Sequence, residues 1–569
     1  MIVGIDLGTS NSLVGFWRDG RACLVPNSLG HLLTPSCVSV QEDGQVVVGL
    51  PARDRLLTDP ALSAGSFKRY MGTEKRFRLG TREFRPEELS ALVLRSLKAD
   101  AEAFLSEPVN EAVISVPAYF NDTQRKATRT AGELAGLKVE RLLNEPTAPA
   151  LAYGLHQAEQ ESKFLVFDLG GGTFDVSVLE IFSGVMEVRA TAGDNFLGGE
   201  DFVSFIVEAF LAETGKPAGL DARRLTNKQL AQLRTEAERV KRELSSRNVA
   251  TFTVTNDGAV LTWSITSEHF ERLCAPLLER IRSPVERALR DARLTAASLN
   301  EILLVGGATR MPIVHRLVSR LFGRFPNREI HPDEAIALGA AVQAGLKARD
   351  ATLKEVVLTD VCPYTLGVEI TEETAPGCRR EGLFLPIIER STVIPASRAH
   401  SVMPVHEHQK QIKLKVYQGE SRDVCDNVLL GTLDISMPPL PRDKQQVMVR
   451  FAYDINGLLE VEATVTETGV KQRLVIEQSP GSMTQEDIRR SLAALEKLKI
   501  HPRDETENVA LVARLKRLFE LHLQNERMWL SGLLSQFEST LERQDPREIA
   551  HVRVEIARRL DAFEGNRGL

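Results

Sequence analysis

Apolar and polar positions divide the 569-residue chain into three successive textures. From residue 1 to about 350, short β-rich runs such as "FLVFDLGG" and "EILLVGG" alternate with amphipathic stretches such as "RTEAERVKREL". That alternation predicts an α/β domain. From Val361 to about Ser479, "IKLKVYQGE" alternates Ile412, Leu414 and Val416 with lysines, the period of a half-buried strand. "VMVRFAYDINGLLEVEATV" predicts a hairpin turning at Asn456-Gly457. An antiparallel β domain is expected there. From Thr484 onward the pattern is helical. Thr484 and Asp487 make a capping-box-like start, and Ile488, Leu492, Leu495 and Leu498 follow at helical spacing. Asp545-Pro546-Arg547-Glu548 opens another helix, with Ile549, Val552, Ile556, Leu560 and Phe563 on one face. Between the first two textures lies "EVVLTDV". It is too apolar for a flexible tether, which would be rich in Gly, Ser or Pro.

Composition narrows the class. Apolar residues are 43% and charged residues 26% of the chain, as in soluble globular proteins. A net charge of −6 and the lack of a basic stripe argue against a nucleic-acid partner. Six scattered cysteines without a CxxC pair suit a reducing compartment. No apolar run reaches the roughly 20 residues of a membrane span. The chain opens directly on a strand, so no signal peptide is expected.

One internal repeat carries chemistry. "VGIDLGTSNSLVGF" (Val3–Phe16) and "LVFDLGGGTFDVSVLEI" (Leu165–Ile181) share one plan. Each has an apolar strand, Asp, Leu, a Gly-rich bend, a hydroxyl residue and a second apolar strand. Glycines let a backbone approach a ligand closely, and consecutive turn amides make an anion nest. Asp6 and Asp168 would face each other across a cleft, suited to a hydrated Mg²⁺ between nucleotide phosphates. Thr9, Ser10 and Thr173 add hydroxyls, and Asp175 is placed to orient a water. A third glycine pair, Gly306-Gly307, ends the strand of "EILLVGGATRMP". On "TEAERVKRELSS", Glu238, Lys241, Arg242 and Ser245 share one helical face. That face reads either as a solvated surface or as a clamp on a nucleoside. Neither a P-loop nor a dinucleotide fingerprint is present.

These turns and "VGGATR" resemble the actin-type ATPase fold of sugar kinases, actins and seventy-kilodalton heat-shock chaperones. "VPAYFNDTQRKAT", "NEPTAPALAYGL" and "GDNFLGGEDF" narrow the resemblance to DnaK-like chaperones, and it runs through essentially the whole chain. The resemblance implies a duplicated, two-lobed α/β actin-like ATPase over 1–353, a linker over 354–361, a β-sandwich over 362–480 and a helical lid over 481–569. It implies ATP hydrolysis by in-line attack of water, with catalysis mostly by positioning and electrostatics. Lys68 matches the lysine that stabilises the γ-phosphate. Glu145 and Asp175 would hold the water and the metal shell, and Asp6 and Asp168 would bind Mg²⁺ through waters. A potassium ion is a further candidate. Thr9, Ser10 and Thr173 would contact phosphates, Ser10 standing where Thr is common. Gly8, Asn11, Gly170, Gly171, Gly172, Gly199 and Gly306 complete the implied phosphate site. Glu238, Lys241, Arg242, Ser245, Gly307, Arg310 and Asp333 match the adenosine pocket. Pro117 and Arg125 match a relay from nucleotide to outer domain, and Arg141 matches a contact to J-domain co-chaperones.

The β domain would bind extended apolar segments of unfolded chains, lined by Val368, Val402, Val405 and Ile412. Thr371 falls where relatives carry a Met that arches over the peptide. Val356, Val357 and Leu358 would dock on the ATPase with ATP, ending at Asp360. Thr359 stands where relatives carry a third Leu, so weaker coupling is expected. Only 17 residues separate Lys68 from Pro86, far fewer than in common members, which resembles the HscC branch of bacterial chaperones. The trimming puts docking of the general nucleotide-exchange factor in question; the expectation is fast, factor-independent exchange. A cytoplasmic bacterial monomer is expected. The rival readings are a small-molecule kinase or a filament-forming ATPase on the same fold.

Overall fold

Each repeated motif folds as an antiparallel pair with a parallel neighbour on its outer side. Ile2–Asp6 pairs with Asn11–Arg18 and, in parallel, with Glu111–Val116. Ser162–Leu169 pairs with Phe174–Phe182 and, in parallel, with Glu301–Val305. The structure, a computed structural model, describes residues 1–154, 161–182, 185–256, 258–327, 331–350, 353, 357–375, 378–394, 396–438, 440–441, 444–453, 459–476, 502–522, 524–542 and 546–565. The Asn456-Gly457 turn, Val356 and the expected lid start at Thr484 lie outside these residues, and so do the side chains of Val357 and Leu358.

The first sheet runs Lys138–Asn144, Glu111–Val116, Ile2–Asp6, Asn11–Arg18, Arg21–Leu24. The second runs Glu301–Val305, Ser162–Leu169, Phe174–Phe182, Val185–Asp194, Val357–Val361, Val393–Ile394. The central strands Ile2–Asp6, Glu111–Val116, Ser162–Leu169 and Glu301–Val305 are largely buried on both faces and read as apolar runs rather than alternating ones. Phe167, Phe174, Phe202, Phe210 and Phe252 fill one face of the second sheet's core. The helix Ala335–Lys347 packs against the first sheet and against Thr147–Gly154. It does so closely: a Cβ at Gly339 would lie 1.8 Å from the Ala148 carbonyl oxygen. In the short segment before Pro86, a hairpin of Phe77–Leu79 and Arg82–Phe84 closes the lobe. Lys75 Nζ sits 3.3 Å from the Tyr70 ring centre, and Phe77 packs edge-on against Phe67 and Tyr70.

The middle texture forms two four-stranded sheets, one ordered Cys378–Ile388, Leu366–Ala375, Gln411–Gln418, Val428–Ser436 and the other Ala396–Val402, Val447–Tyr453, Leu459–Val465, Lys471–Ile476. Val368, Leu414, Val416, Ile435, Val449, Phe451 and Val461 fill the space between them. The period-2 reading of "IKLKV" holds for Leu414 and Val416, which are buried, and for Lys413, which is exposed. Helices Pro502–Leu521, Gln524–Glu542 and Pro546–Gly565 close on Leu515, Leu530, Phe537, Ile556 and Leu560. The first of them lies against the helix Leu50–Thr58, and its Glu520 reaches Lys228 at 3.2 Å.

The apolar junction is a strand. Val357, Leu358 and Thr359 pair in parallel with Val185, Met186 and Glu187. Asp360 and Val361 then pair with Ile394 and Val393 of the β domain. Val357–Thr359 thus pair on one side, and the β domain joins only beyond them. Asp360 Oδ1 accepts the Val361 amide at 2.8 Å, and Asp360 also bonds to Asn144. Burial raises the Asp360 carboxyl pKa; the Val361 amide, Arg125 and Arg141 oppose that rise. The docked carboxyl thus titrates above the free one, so docking gains as pH falls and weakens as pH rises through the docked value. Linker protection from protease should strengthen as pH falls toward the ordinary carboxylate range, and Asp360→Asn should flatten that dependence. Thr359 Oγ1 is buried with no partner among the described residues, at a cost of about 1–3 kcal/mol. Thr359→Val and Thr359→Leu should each increase linker protection with ATP; unchanged protection would mean that this hydroxyl does not limit docking.

Candidate functional site

The two phosphate turns touch. A Cβ at Gly171 would lie 2.0 Å from Ser10 Oγ, and one at Gly172 would lie 2.7 Å from Thr9 Cγ2. In the second turn the Gly170 amide bonds to the Thr173 carbonyl at 3.0 Å. In the first, Gly8 N–H donates to Ser12 Oγ at 3.2 Å and Ser36 Oγ donates to the Gly8 carbonyl at 2.7 Å. The two hydroxyls meet at 2.9 Å in a buried ring. Ser12 and Ser36 brace this turn and were not singled out in the sequence, because a small hydroxyl in a strand carries no distinctive signal. Thr9 and Thr173 are buried, Ser10 is exposed and Asn11 is half-buried. Gly199 bonds to the Gly170 carbonyl through its amide at 2.9 Å, and its own carbonyl accepts from Lys241 at 3.2 Å. It thus ties the second turn to the Glu238–Ser245 face.

Between the turns lie four buried carboxylates and one buried cation: Asp6, Asp168, Asp175, Glu145 and Lys68. Asp175 stands opposite Asp168 across the antiparallel pair. Lys68 Nζ bonds to Glu145 Oε1 at 2.6 Å. Asp6 Oδ1 accepts from Ser115 Oγ at 2.8 Å, and Asp175 Oδ1 accepts the Tyr119 amide at 2.8 Å. Burial, reinforced by Glu145, pushes Asp6 and Asp175 each up to about 7. Burial with Glu145, Asp175 and Asp6 raises Asp168 well above the usual carboxylate range. Asp168 Oδ2 and Asp175 Oδ2 have no partner among the described residues. One lysine does not neutralise four carboxylates, and orphaned buried oxygens call for donors or a cation. A hydrated divalent cation fits this donor set. Among the described residues no three such side chains are close enough to hold a metal directly, so waters would have to complete the shell.

Glu238 pairs with Lys241 at 2.6 Å and Arg242 at 2.7 Å. Burial raises the Glu238 carboxyl, yet these two cations outweigh it and hold the carboxyl low. Arg310 bonds to Asp333 at 2.5 Å and His331 at 3.1 Å, and a Cβ at Gly307 would lie 2.9 Å from Asp333 Oδ1. Gly306 turns the strand end with φ 83°. A cavity of about 150 Å³ begins at Lys241 and Ser245 and continues to Phe270, Met311 and Ile313. Arg69 reaches both oxygens of Asp201 at 3.0–3.1 Å, joining the two lobes. Asp201 lies inside the quoted "GDNFLGGEDF", and Arg69 directly follows Lys68.

Arg125 holds the loop after Pro117, donating to the Ala118 and Phe120 carbonyls at 3.0 and 3.1 Å and to Asn144 Oδ1 at 2.7 Å. Asn144 carries the bond on to Asp360. Arg141 is half-buried near Asp360, with a 3.4 Å contact to Gln343. Of the expected groove residues, Val368 is closed in the sandwich core, with Val402 and Ile412 half-buried against the same core. Val405 and Thr371 are half-buried, and the Val405 amide donates to Gln409 Oε1 at 3.1 Å.

The chain's matches to known proteins agree with this arrangement. The family model described as "Hsp70 protein" matches residues 2–79 and 74–528. A protein named Chaperone protein DnaK from Thermotoga neapolitana is 42% identical over 502 residues, covering 86% of this chain and 82% of its own length. Namesakes from Thermotoga maritima and Thermosipho africanus are 43% and 41% identical, over 84% and 90% of this chain. The chain belongs to the Hsp70 family, whose members combine a two-lobed actin-like ATPase, a β-sandwich and a helical lid. It is an ATP-dependent chaperone and an ATPase. Among the described residues no helix is long and apolar enough to cross a membrane.

Contact between the turns gives a direct test. Gly171→Val should force them apart, since overpacking costs about 1–3 kcal/mol. Affinity for a fluorescent ATP analogue should fall about tenfold while circular dichroism stays unchanged; undiminished affinity would show that this contact does not shape the phosphate site.

Proposed function

We propose that nucleotide in the cleft governs docking of the linker strand, and through it the grip of the β-sandwich on extended apolar segments of unfolded chains. The observation that carries this reading is the pairing of the linker strand with the nucleotide lobe on one side and the β domain on the other. In this reading residues 1–353 are the ATPase, 354–361 the switch, 362–480 the peptide domain and 481–569 the lid. The docked arrangement corresponds to the ATP state, and hydrolysis releases it.

Lys68 stabilises charge developing on the γ-phosphate, and Glu145 fixes the lysine at 2.6 Å. Asp175 orients the attacking water, its Oδ1 tied back to Tyr119. Thr9, Ser10 and Thr173 position phosphate oxygens, with the Gly8 and Gly170–Gly172 turns around them. Glu238, Lys241, Arg242, Ser245, Arg310 and Asp333 hold the nucleoside. Asp6 and Asp168 would hold Mg²⁺ through waters, which would supply charge neutralisation for the phosphates. A potassium ion would share the phosphate site. A J-domain partner would engage beside Arg141 and the linker. The short segment before Pro86 supports the HscC-like branch, in a bacterial cytoplasm, and exchange without the general factor.

Steady-state phosphate release should rise on adding an apolar peptide and a J-domain protein, with no phosphorylated acceptor formed. A phosphorylated small molecule would instead support the kinase reading. Thr173→Ala should leave ATP affinity within about twofold but slow single-turnover hydrolysis by about tenfold or more; an equal rate would contradict the assignment. Arg141→Glu should abolish J-domain stimulation and spare basal turnover, and surviving stimulation would move that surface elsewhere.

A further inference from the structure

The peptide domain contributes a side chain that stops one residue short of the water-orienting carboxylate. Tyr364 follows the linker strand by three positions and is half-buried. Its hydroxyl donates to the Tyr119 carbonyl at 2.9 Å. The two rings lie 4.4 Å apart, tilted by 36°. Tyr119 belongs to the nucleotide lobe, in the loop after Pro117. Its amide is the donor to Asp175 Oδ1 at 2.8 Å. Its carbonyl accepts a second bond, from Asn195 Nδ2, at 2.8 Å. The Arg287 guanidinium lies 5.2 Å from its ring centre and donates to the Gly193 carbonyl at 3.3 Å. Tyr119 is thus held at its amide by the catalytic centre, and at its carbonyl and ring by the peptide domain.

We propose that Tyr364 is a positioning residue for ATP hydrolysis, supplied by the peptide domain and acting on Asp175 through Tyr119. With the domains docked, Tyr119 is clamped at both its amide and its carbonyl. When the peptide domain leaves, the carbonyl loses one of two donors and the ring loses its stacking partner. The seat of Asp175 Oδ1 then changes, while its buried Oδ2 has no partner among the described residues. This route enters from the peptide domain through Tyr364, whereas Arg125 braces the same loop at Ala118 and Phe120 from within the nucleotide lobe and reaches the linker through Asn144 and Asp360. The Tyr364 route requires a phenol at that position. Hydrogen bond and stack act together, so their separate removal distinguishes a hydrolysis signal from a docking contact.

The inference rests on the proposed peptide-stimulated ATPase, and one series tests both. Single-turnover hydrolysis is measured for the full chain with and without an apolar peptide, alongside ATP affinity and linker protection. The unaltered chain should respond to peptide; absence of a response overturns the functional reading and this inference with it. Tyr364→Phe keeps the ring and loses the hydroxyl. It should cut the fold-stimulation by peptide about threefold, with ATP affinity and linker protection retained. Tyr364→Leu, which also loses the stack, should cut it further. An undiminished peptide response in Tyr364→Phe overturns the inference. So does a loss of stimulation that is matched by loss of linker protection, which would make Tyr364 a docking contact only.

Discussion

Everything between the domains depends on three residues of parallel pairing, Val357 to Thr359 against Val185 to Glu187. A strand inside a sheet has obligations on both sides, since its main-chain groups must pair or return to water. If the linker strand leaves, Val185–Asp194 becomes a bare edge and Val393–Ile394 loses its only partner in this sheet. Bare edges are costly and are not left half-open. Beyond the Tyr119–Tyr364 stack and the packing of Pro502–Leu521 on Leu50–Thr58, the interdomain contacts are single polar bridges. Arg390 bridges Asp291 and Glu420, Gln418 accepts the Asp122 amide at 3.2 Å, and Lys126 reaches the Ile476 carbonyl at 3.2 Å. Each alone is worth little when solvent reaches it. The strand pairing is therefore the continuous main-chain link between the two domains.

The nucleotide cleft is under a different constraint. Four buried carboxylates around one lysine leave excess negative charge between the two turns. Such a site is incomplete by its own electrostatics, and raised carboxyl pKa values are the sign of it. The site's unpaired oxygens and the linker's unpaired Thr359 hydroxyl are both local deficits. Both leave a buried polar atom unmatched among the described residues.

The α/β, β and helical textures were legible because hydrophobic period reports burial directly: two-sided burial gives apolar runs, and one-sided burial gives alternation. The phosphate turns were legible because they occur twice. Tyr119, Tyr364 and Asn195 were not, because an aromatic or amide residue in a loop acquires meaning only from what the fold puts opposite it. The Arg69–Asp201 pair spans 132 positions of sequence, so no local pattern could join them. Val368 was expected in the groove and is closed in the sandwich core, since inward-facing positions of a strand serve core and groove alike. Val357–Thr359 pair on one side, with Val185–Glu187, and Val393–Ile394 joins only beyond them, at Asp360 and Val361. That second pairing depends on the β domain's position, which the linker's own residues do not encode.

Hydrogen exchange at the amides of Val357–Val361, followed with ATP and then with ADP, tests the account most directly. A strand paired with both neighbours in one nucleotide state and released in the other requires slow exchange with ATP and fast exchange with ADP. Protection must disappear together at Val393–Ile394. Equal protection in both nucleotide states would contradict the account, because the strand would then be a fixed part of the fold rather than its switch.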